Sequence, residues 1–257
     1  TPRMRLLLDM GNSRLKWALQ AQPDAWFARG AVDWNEADVP AQLVSAWAEL
    51  PRPDAVLAAS VVDSAREAEV ARVTEQLFAH SPHWLRTPAS ACGVRNAYAE
   101  PQRLGVDRFL AMVAALADGH APCVLASAGT ALTLDALAAD GRHLGGLIAP
   151  GPLLMQQSLL GATARIRPER SGEIVELADN TADAVASGCW LAAAALIERF
   201  MDSATARFDR RPMLILGGGD GARLAPLLSI PVQLSEDSVL RGLAVWAGTQ
   251  PAAAPAD

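Results

Sequence analysis

Residues 6–19, LLLDMGNSRLKWAL, form two apolar runs joined by a polar turn. Each run has the length and composition of a strand, so we predict a β-hairpin. Asp9 at the end of a buried strand can hold Mg²⁺ through water, Gly11 lets the backbone approach a ligand, and Lys16 adds a positive charge. A hairpin whose polar residues serve only the turn explains the stretch equally well. The stretch by itself therefore does not decide between a phosphate site and a simple turn.

The overall composition is typical of a globular protein. Of the 257 residues, 51% are hydrophobic and 19% are charged, which is enough for one large core or two smaller ones. The formal net charge is -6, and no run of Lys and Arg occurs. We therefore expect no nucleic-acid partner.

Cysteine usage and hydropathy indicate a reduced, cytoplasmic protein. The three cysteines are widely spaced and outside any disulfide or zinc pattern: Cys92, Cys123 and Cys189. The apolar stretch that begins at Leu6 is soon broken by an aspartate, too early for the core of a signal peptide. The longest later apolar run, residues 190–197, is too short to span a bilayer, so we predict a buried helix there and no membrane association.

Apolar runs alternate with helical patterns along the chain, which predicts an α/β fold. After the hairpin, we predict strands over residues 26–32, 55–62, 83–85, 123–126, 131–135, 213–216 and 232–234. We predict helices over residues 36–50, 64–78, 105–118, 181–201 and 239–247. Glycine and proline indicate a turn-rich connection over residues 145–152, and the Ala- and Pro-rich residues 251–257 are predicted to be a disordered tail.

A second polar turn between two apolar runs occurs in residues 123–135. Three pairs of residues share one offset of 118 positions: Asp9 with Ser127, Gly11 with Gly129, and Asn12 with Thr130. A single offset is expected if an ancestral half was duplicated. We therefore predict two α/β lobes, an N-terminal one over residues 1–118 and a C-terminal one over residues 119–250.

A glycine-rich segment follows one of the later predicted strands. Gly217, Gly219 and Ala222 satisfy the spacing G-x-G-x-x-A, and Glu236 lies at roughly the distance of a ribose-binding acid in a dinucleotide site. This favours a nicotinamide-dependent oxidoreductase, although little chain follows Glu236 for further βα units. A turn against a purine or ribose, or a turn without a ligand, explains the segment as well.

The segment Gly105-Val106-Asp107-Arg108 at a predicted helix start has two interpretations. Asp107 can improve the helix dipole while Arg108 pairs with it or faces water. Alternatively, Arg108 binds a carboxylate or amide oxygen, and Asp107 accepts a proton from a hydroxyl as general base. The segment alone favours the first interpretation.

Five motifs occur in a characteristic order along the chain. They are Asp9-Met10-Gly11-Asn12-Ser13-Arg14-Leu15-Lys16, Gly105-Val106-Asp107-Arg108, Gly129-Thr130-Ala131-Leu132-Thr133-Leu134-Asp135, Gly145-Gly146-Leu147-Ile148-Ala149-Pro150-Gly151 and Asn180-Thr181. This series resembles type III pantothenate kinase, a family of the acetate and sugar kinase, Hsp70 and actin superfamily. The resemblance covers nearly the whole chain and is far more specific than any one motif.

The resemblance implies a fold and an activity. The fold is α/β, with two duplicated ribonuclease-H-like, actin-like ATPase lobes and a nucleotide cleft between them. The activity is ATP-dependent phosphorylation of the primary hydroxyl of pantothenate to 4'-phosphopantothenate, the first step of coenzyme A biosynthesis. Some relatives are labelled Bvg accessory factor, so a non-catalytic nucleotide-binding protein is an alternative beside the oxidoreductase.

The resemblance also implies roles for individual residues. The ATP and phosphate site comprises Asp9, Gly11, Asn12, Ser13, Lys16, Gly129, Thr130, Gly217, Gly218 and Gly219. The pantothenate site comprises Tyr98, Gly105, Val106, Asp107, Arg108 and, across a homodimer, Thr181. Asp107 is implied to be the general base, and Asp9 to hold Mg²⁺ through water.

One position departs from the family pattern. Ser127 stands where most members carry an Asp that holds an activating potassium or ammonium ion. A hydroxyl is a neutral and weaker cation ligand than a carboxylate. The family implies a monovalent cation as a cofactor, and Ser127 argues against it.

Overall fold

The computed structural model describes residues 3–249, which divide into two compact α/β units. The first unit extends to Gly119 and includes the segment that begins at Asp237. The second unit comprises His120–Glu236. Two α/β lobes were predicted from the repeated turn, and each unit indeed contains a five-stranded sheet.

The first unit is built on a mixed sheet with the strand order β3-β2-β1-β4-β5. Its strands are β1 (Arg5–Met10), β2 (Arg14–Gln22), β3 (Ala25–Asp33), β4 (Ala55–Ser60) and β5 (His83–Trp84), with a small hairpin of β6 (Ser90–Ala91) and β7 (Val94–Arg95). Its helices are α1 (Val39–Trp47), α2 (Ser64–Phe78), α3 (Val106–Ala117) and, after the second unit, α7 (Ser238–Thr249). β1 pairs antiparallel with β2 and parallel with β4, so the predicted hairpin is confirmed.

Strand β1 contains an uninterrupted apolar run, Leu6 to Leu8, because both faces of the sheet are covered. Leu6 and Leu8 lie in one core with Trp47 of α1 and Phe78 of α2. Leu7, on the other face, lies in a second core with residues of α3 and α7. The alternation of side chains along a strand therefore supplies two separate cores from one apolar run.

The second unit repeats this arrangement with the strand order β10-β9-β8-β11-β12. Its strands are β8 (Cys123–Ala128), β9 (Ala131–Leu137), β10 (His143–Pro150), β11 (Met213–Gly217) and β12 (Gln233–Leu234). Its helices are α4 (Pro152–Ala162), α5 (Thr181–Arg207) and the short α6 (Gly221–Leu224). β8 pairs antiparallel with β9 and parallel with β11, as β1 does with β2 and β4, which agrees with the repeat seen in the sequence.

Helix α5 supplies the apolar face that packs on this second sheet. Trp190 and Ile197 are fully buried in one core with Leu134 of β9 and Leu216 of β11. The helix is longer than the predicted residues 181–201. By length and composition alone it could cross a membrane, but half of its most apolar window is buried inside the protein, as in the core helix of a soluble protein.

The structure corrects the prediction of a turn-rich connection over residues 145–152. Most of this segment belongs to β10, which pairs antiparallel with β9 at the edge of the sheet. Gly145 has φ +117°, next to a shift in the pairing register after His143. A bulge at a glycine and a proline at the end of an edge strand are compatible with pairing, so these residues did not exclude a strand.

The last helix also differs from its predicted position, because we had assigned residues 119–250 to the C-terminal lobe. Leu240 and Leu243 of α7 pack instead with Leu7 of β1 in the first unit. A side chain at Gly242 would run into the backbone of Leu110, so the glycine lets α7 approach α3 closely. The predicted tail, residues 251–257, lies outside the described residues.

Candidate active site

The turn between β1 and β2 is held by backbone hydrogen bonds. Gly11 N–H donates to the Arg14 carbonyl (3.0 Å), and Trp34 N–H donates to the Ser13 carbonyl (3.1 Å). The Trp34 indole N–H donates to the Gly11 carbonyl (2.6 Å). Asn12 and Ser13 are exposed, so the turn presents an amide and a hydroxyl on a fixed backbone.

Asp9 is the most strongly perturbed group at this end of the sheet. Burial raises the pKa of Asp9 to about 7, with further increases from the charges of Asp107 and Asp237 and an opposing effect from Lys16. Asp9 and Lys16 are direct cross-strand partners in the hairpin. The end of β1 thus carries a carboxylate that is costly to ionise without an additional positive charge.

The start of α3 holds Asp107 in one orientation. Asp107 Oδ1 accepts a hydrogen bond from the Arg108 N–H (2.8 Å). A Cβ at Gly105 would lie 2.7 Å from Asp107 Oδ1, so the glycine leaves room for this carboxylate in the orientation that it adopts. Asp107 also raises the pKa of Asp9 through its charge, so the two carboxylates belong to one electrostatic neighbourhood.

Arg108 and Tyr98 form a cation–aromatic pair beside Asp107. The Arg108 guanidinium donates to the Tyr98 hydroxyl (3.2 Å) and lies 5.9 Å from the centre of its ring. Arg108 is only 6% exposed, which is unusual for an arginine. Val106, by contrast, is buried in the core with Leu7 and Leu110, so its side chain serves packing.

In the second unit, the structure brings together three glycine-containing segments. Gly151 N–H donates to the Thr130 carbonyl (2.8 Å), and a side chain at Gly151 would collide with the Gly129 carbonyl. Gly218 has φ +84°, and a side chain there would collide with the backbone of Ala128. Two glycines, Gly151 and Gly218, are therefore required beside the turn that follows β8, and Thr130 is exposed in that turn.

Ser127 and Asp220 lie near the same turn. Ser127, next to last in β8, is exposed and pairs with Thr133 of β9 and Gly217 of β11. Asp220 N–H donates to the Ala128 carbonyl (2.9 Å), and partial burial raises the pKa of the Asp220 carboxyl. The backbone of Asp220 therefore lies beside the strand end that carries Ser127.

Thr181 is the first residue of α5 and is exposed. The Asn180 side chain caps the helix by accepting from the Asp183 N–H (3.0 Å). Arg170 donates to Asp183 Oδ1 (2.9 Å) and Asn180 Nδ2 donates to Asp183 Oδ2 (2.8 Å), and these two hydrogen bonds hold the pKa of Asp183 well below its usual range. The start of α5 is thus a firmly held position for Thr181.

Sequence reasoning missed several residues that lie near Asp9 in the first unit or near the turn after β8 in the second unit. Asp237 raises the pKa of Asp9 and pairs with Arg29 (2.7 Å), although it is distant from Asp9 in sequence. Gly151 was predicted as a turn residue and as the end of a family motif, with no role in the site, and Asp220 was assigned no role. The strand-end positions of Asp9 and Ser127 could have indicated that other polar residues gather there, but not which ones.

Solved structures of known proteins have the same fold. Component A of (R)-2-hydroxyglutaryl-CoA dehydratase from Acidaminococcus fermentans matches with a TM-score of 0.54 and 12% identity, covering 95% of this chain and 96% of that one. MreB 5 of Spiroplasma citri, solved with AMPPNP, matches with a TM-score of 0.52 and 11% identity, covering 97% of each chain. Together with the repeated strand order, they define the class as proteins with the two-lobe fold of actin-like ATPases.

Sequence comparisons narrow the class to one family. The family model of type III pantothenate kinase matches residues 5–203. The type III pantothenate kinase of Aromatoleum aromaticum is 39% identical over 250 residues, which covers 97% of this chain and all of that protein. The chain therefore belongs to the type III pantothenate kinase family, and the resemblance seen in the motifs is confirmed.

Proposed function

We propose that this protein transfers the γ-phosphoryl group of ATP to the primary hydroxyl of pantothenate and forms 4'-phosphopantothenate, the first step toward coenzyme A. The family supports pantothenate and ATP as the substrates. The observation that carries the proposal is the position of Asp107, oriented by the Arg108 N–H and electrostatically coupled to Asp9. A base and a phosphate-binding turn in one neighbourhood are what phosphoryl transfer to an alcohol requires.

In this proposal, the first unit binds pantothenate and the reacting phosphate. The buried Arg108 guanidinium and the Tyr98 hydroxyl bind the polar groups of pantothenate, and Gly105 leaves room for the base. Asp107 accepts the proton of the attacking hydroxyl. Lys16 neutralises phosphate charge, the exposed Asn12 and Ser13 donate hydrogen bonds, and Gly11 lets the backbone come close to the phosphate.

Asp9 is the residue that would hold Mg²⁺, through water. Among residues 3–249, no three or more His, Cys, Asp or Glu side chains form a group that could hold a metal ion. Mg²⁺ commonly binds through one or two carboxylates, several waters and substrate phosphates, and a carboxylate with a raised pKa gains from a neighbouring cation. Bound with ATP, Mg²⁺ would neutralise phosphate charge.

In the second unit, Gly129 and Thr130 provide the second phosphate turn of the proposal. The Thr130 hydroxyl and the backbone at Gly129 contact the phosphates, and Gly217, Gly218 and Gly219 let the backbone approach the adenosine. The left-handed φ of Gly218 and the close approach at Gly151 support this assignment, because both keep side chains away from the turn. The oxidoreductase alternative loses its support because the chain enters the first unit after Glu236.

We further propose a cytoplasmic homodimer in which Thr181 contributes to the pantothenate site of the partner. The edge strand β10 exposes two large apolar side chains, Leu147 (43%) and Ile148 (65%), and α4 exposes Leu153 (44%). Such side chains on an edge strand favour contact with another chain. Light scattering of the purified protein measures the mass directly, and a monomer at micromolar concentration would contradict the dimer.

Replacing Ser127 by aspartate is expected to make turnover depend more steeply on potassium, because a carboxylate binds a monovalent cation better than a hydroxyl does. Initial rates are measured from zero to high potassium at constant ionic strength, with sodium as the replacement ion. Ser158→Asp, which adds the same charge on α4, is the matched control and should leave the cation profile unchanged. If the potassium dependence of Ser127→Asp is the same as that of the wild type, the monovalent cation either binds elsewhere or takes no part in the reaction.

A single assay separates the proposed function from its alternatives. The protein is mixed with ATP, Mg²⁺ and pantothenate, and ADP and phosphopantothenate are quantified with potassium, ammonium or sodium present. We expect equal amounts of both products. ATP binding without phosphopantothenate under every cation would favour the non-catalytic accessory protein, and binding of NAD(H) without ATP binding would favour the oxidoreductase.

A further inference from the structure

The segment between β5 and α3 folds back on itself before it reaches Tyr98. β6 and β7 are joined by Cys92 and Gly93, which have φ 51° and 82°. Two successive left-handed residues are the requirement of a tight hairpin turn of type I′. The hairpin brings the chain back to Asn96, whose N–H donates to the Ala89 carbonyl (2.9 Å).

The Asn96 side chain then connects three parts of this segment. Its Nδ2 donates to the Pro88 carbonyl (3.3 Å) before the hairpin and to the Pro101 carbonyl (3.0 Å) after it. Its Oδ1 accepts from the Tyr98 N–H (2.9 Å). One amide therefore joins the entry to the hairpin, the exit toward α3, and the backbone of Tyr98.

We infer that Asn96 is a positioning residue for the pantothenate site: its amide holds Tyr98 in the place where the hydroxyl meets Arg108. This inference rests on the proposed function, in which Tyr98 and Arg108 bind pantothenate. It goes beyond that function because it gives a role to Asn96, which does not bind pantothenate itself and acts by holding Tyr98. The 3.2 Å hydrogen bond between Arg108 and Tyr98 depends on where the Tyr98 backbone lies, and Asn96 is the side chain bonded to that backbone.

Only an amide meets all three bonds at this position. Two carbonyl oxygens need a donor with two N–H groups, and the Tyr98 N–H needs an acceptor on the same side chain. Aspartate at position 96 would keep the oxygen that accepts from the Tyr98 N–H. Its second oxygen would replace the N–H donor and would face the Pro88 and Pro101 carbonyl oxygens without a hydrogen bond. Alanine removes all three bonds and frees the segment on both sides of Tyr98.

The test uses the fact that Tyr98 is the only tyrosine of the chain. Protein labelled with 3-fluorotyrosine gives one ¹⁹F resonance, which reports the surroundings of Tyr98 without any activity measurement. In Asn96→Ala, we expect this resonance to move toward that of free fluorotyrosine in the absence of ligand. Gln102→Ala, an exposed residue of the same segment, is the matched control and should leave it in place.

Kinetics of the unlabelled variants provide the second readout. We expect Asn96→Ala to raise the KM for pantothenate about tenfold while kcat and the KM for ATP change little, as loss of a positioned hydrogen-bonding group predicts. Tyr98→Phe should raise the same KM in the wild-type background and have no further effect in Asn96→Ala, because the two residues act as one unit. Asn96→Asp serves in place of Asn96→Ala where the alanine variant does not fold.

The outcomes for the inference and for the proposed function are distinct. A wild-type resonance that does not respond to pantothenate contradicts the proposed binding role of Tyr98. The role of Asn96 is decided separately, by comparing the ¹⁹F resonance of the ligand-free wild type with that of ligand-free Asn96→Ala. An unchanged resonance in Asn96→Ala, or additive effects of Asn96→Ala and Tyr98→Phe on the KM, would overturn the inference.

Discussion

Asp107→Asn is expected to lower turnover by about 10²–10⁴-fold, the range for loss of a general base. Asparagine keeps the size of the side chain and an oxygen that accepts from the Arg108 N–H, but it cannot take the proton of the pantothenate hydroxyl. The KM for pantothenate should change much less than kcat, because the groups proposed to bind it are untouched. Steady-state kinetics with both substrates varied make the measurement.

The matched control for this variant is Asp63→Asn. Asp63 caps the start of α2 in the same unit, and its carboxylate likewise accepts from a backbone N–H, that of Arg66 (2.9 Å). The same loss of charge at a helix start should leave turnover unchanged there. Turnover of Asp107→Asn within threefold of the wild type would rule out the base assignment, because such a loss is far below that expected of a base.

Asp9→Asn is expected to lower activity and raise the stability of the ligand-free protein above neutral pH. In the native protein the pKa of Asp9 is raised to about 7 from 3.8. The native state thus holds a proton that the unfolded chain has released between these values, so the contribution of Asp9 to stability falls as the pH rises through this window. Asparagine removes the cost of ionising the buried carboxylate.

The size of this gain follows from the shift. Each pH unit corresponds to roughly 1.4 kcal/mol, so three units give at most about 4 kcal/mol, and the partial contact of Asp9 with solvent reduces the expected gain to about 2 kcal/mol at pH 8. At pH 4 the gain should vanish. Denaturant unfolding at pH 4, 6 and 8 measures it, with Asp33→Asn, an exposed carboxylate at the end of β3, as the control.

The loss of activity in Asp9→Asn should be about 10–100-fold, the usual effect of removing a group that supports a metal through an outer shell. Raising the Mg²⁺ concentration should recover part of the activity. Full activity at low Mg²⁺ would contradict the assignment of Asp9. A stability that does not increase at pH 8 would contradict its raised pKa and leave the role in metal binding untouched.

The hairpin over residues 6–19 and its repeat were predictable because they depend on local apolar runs around a polar turn and on an exact offset. Leu6, Leu7 and Leu8 make an uninterrupted apolar run, and such a run belongs to a strand covered on both faces. The five-motif series identified the family, and the family model and relatives confirm it. The individual site residues remain proposals, supported by their geometry.

The position of α7 could not be predicted, because an apolar helical face does not specify which sheet it covers. Leu243 packs on the first sheet although more than 200 residues separate it from Leu7. Strand β10 was missed for a related reason, since the pairing with β9 outweighs the local preference of Gly145 and Gly146. Tertiary contacts of this kind regularly override local propensity.

The sequence by itself determined the α/β class, the repeated turn and the family, because each of these depends on residue types in a fixed order along the chain. The tertiary structure decided what the residues of the site experience. It brought Asp107 and Asp237 near Asp9, placed Arg108 against Tyr98, and let Asn96 join the segments that hold Tyr98. Burial and electrostatic interaction depend on distances in space, so the pKa of Asp9 and the role of Asn96 follow only from the folded chain.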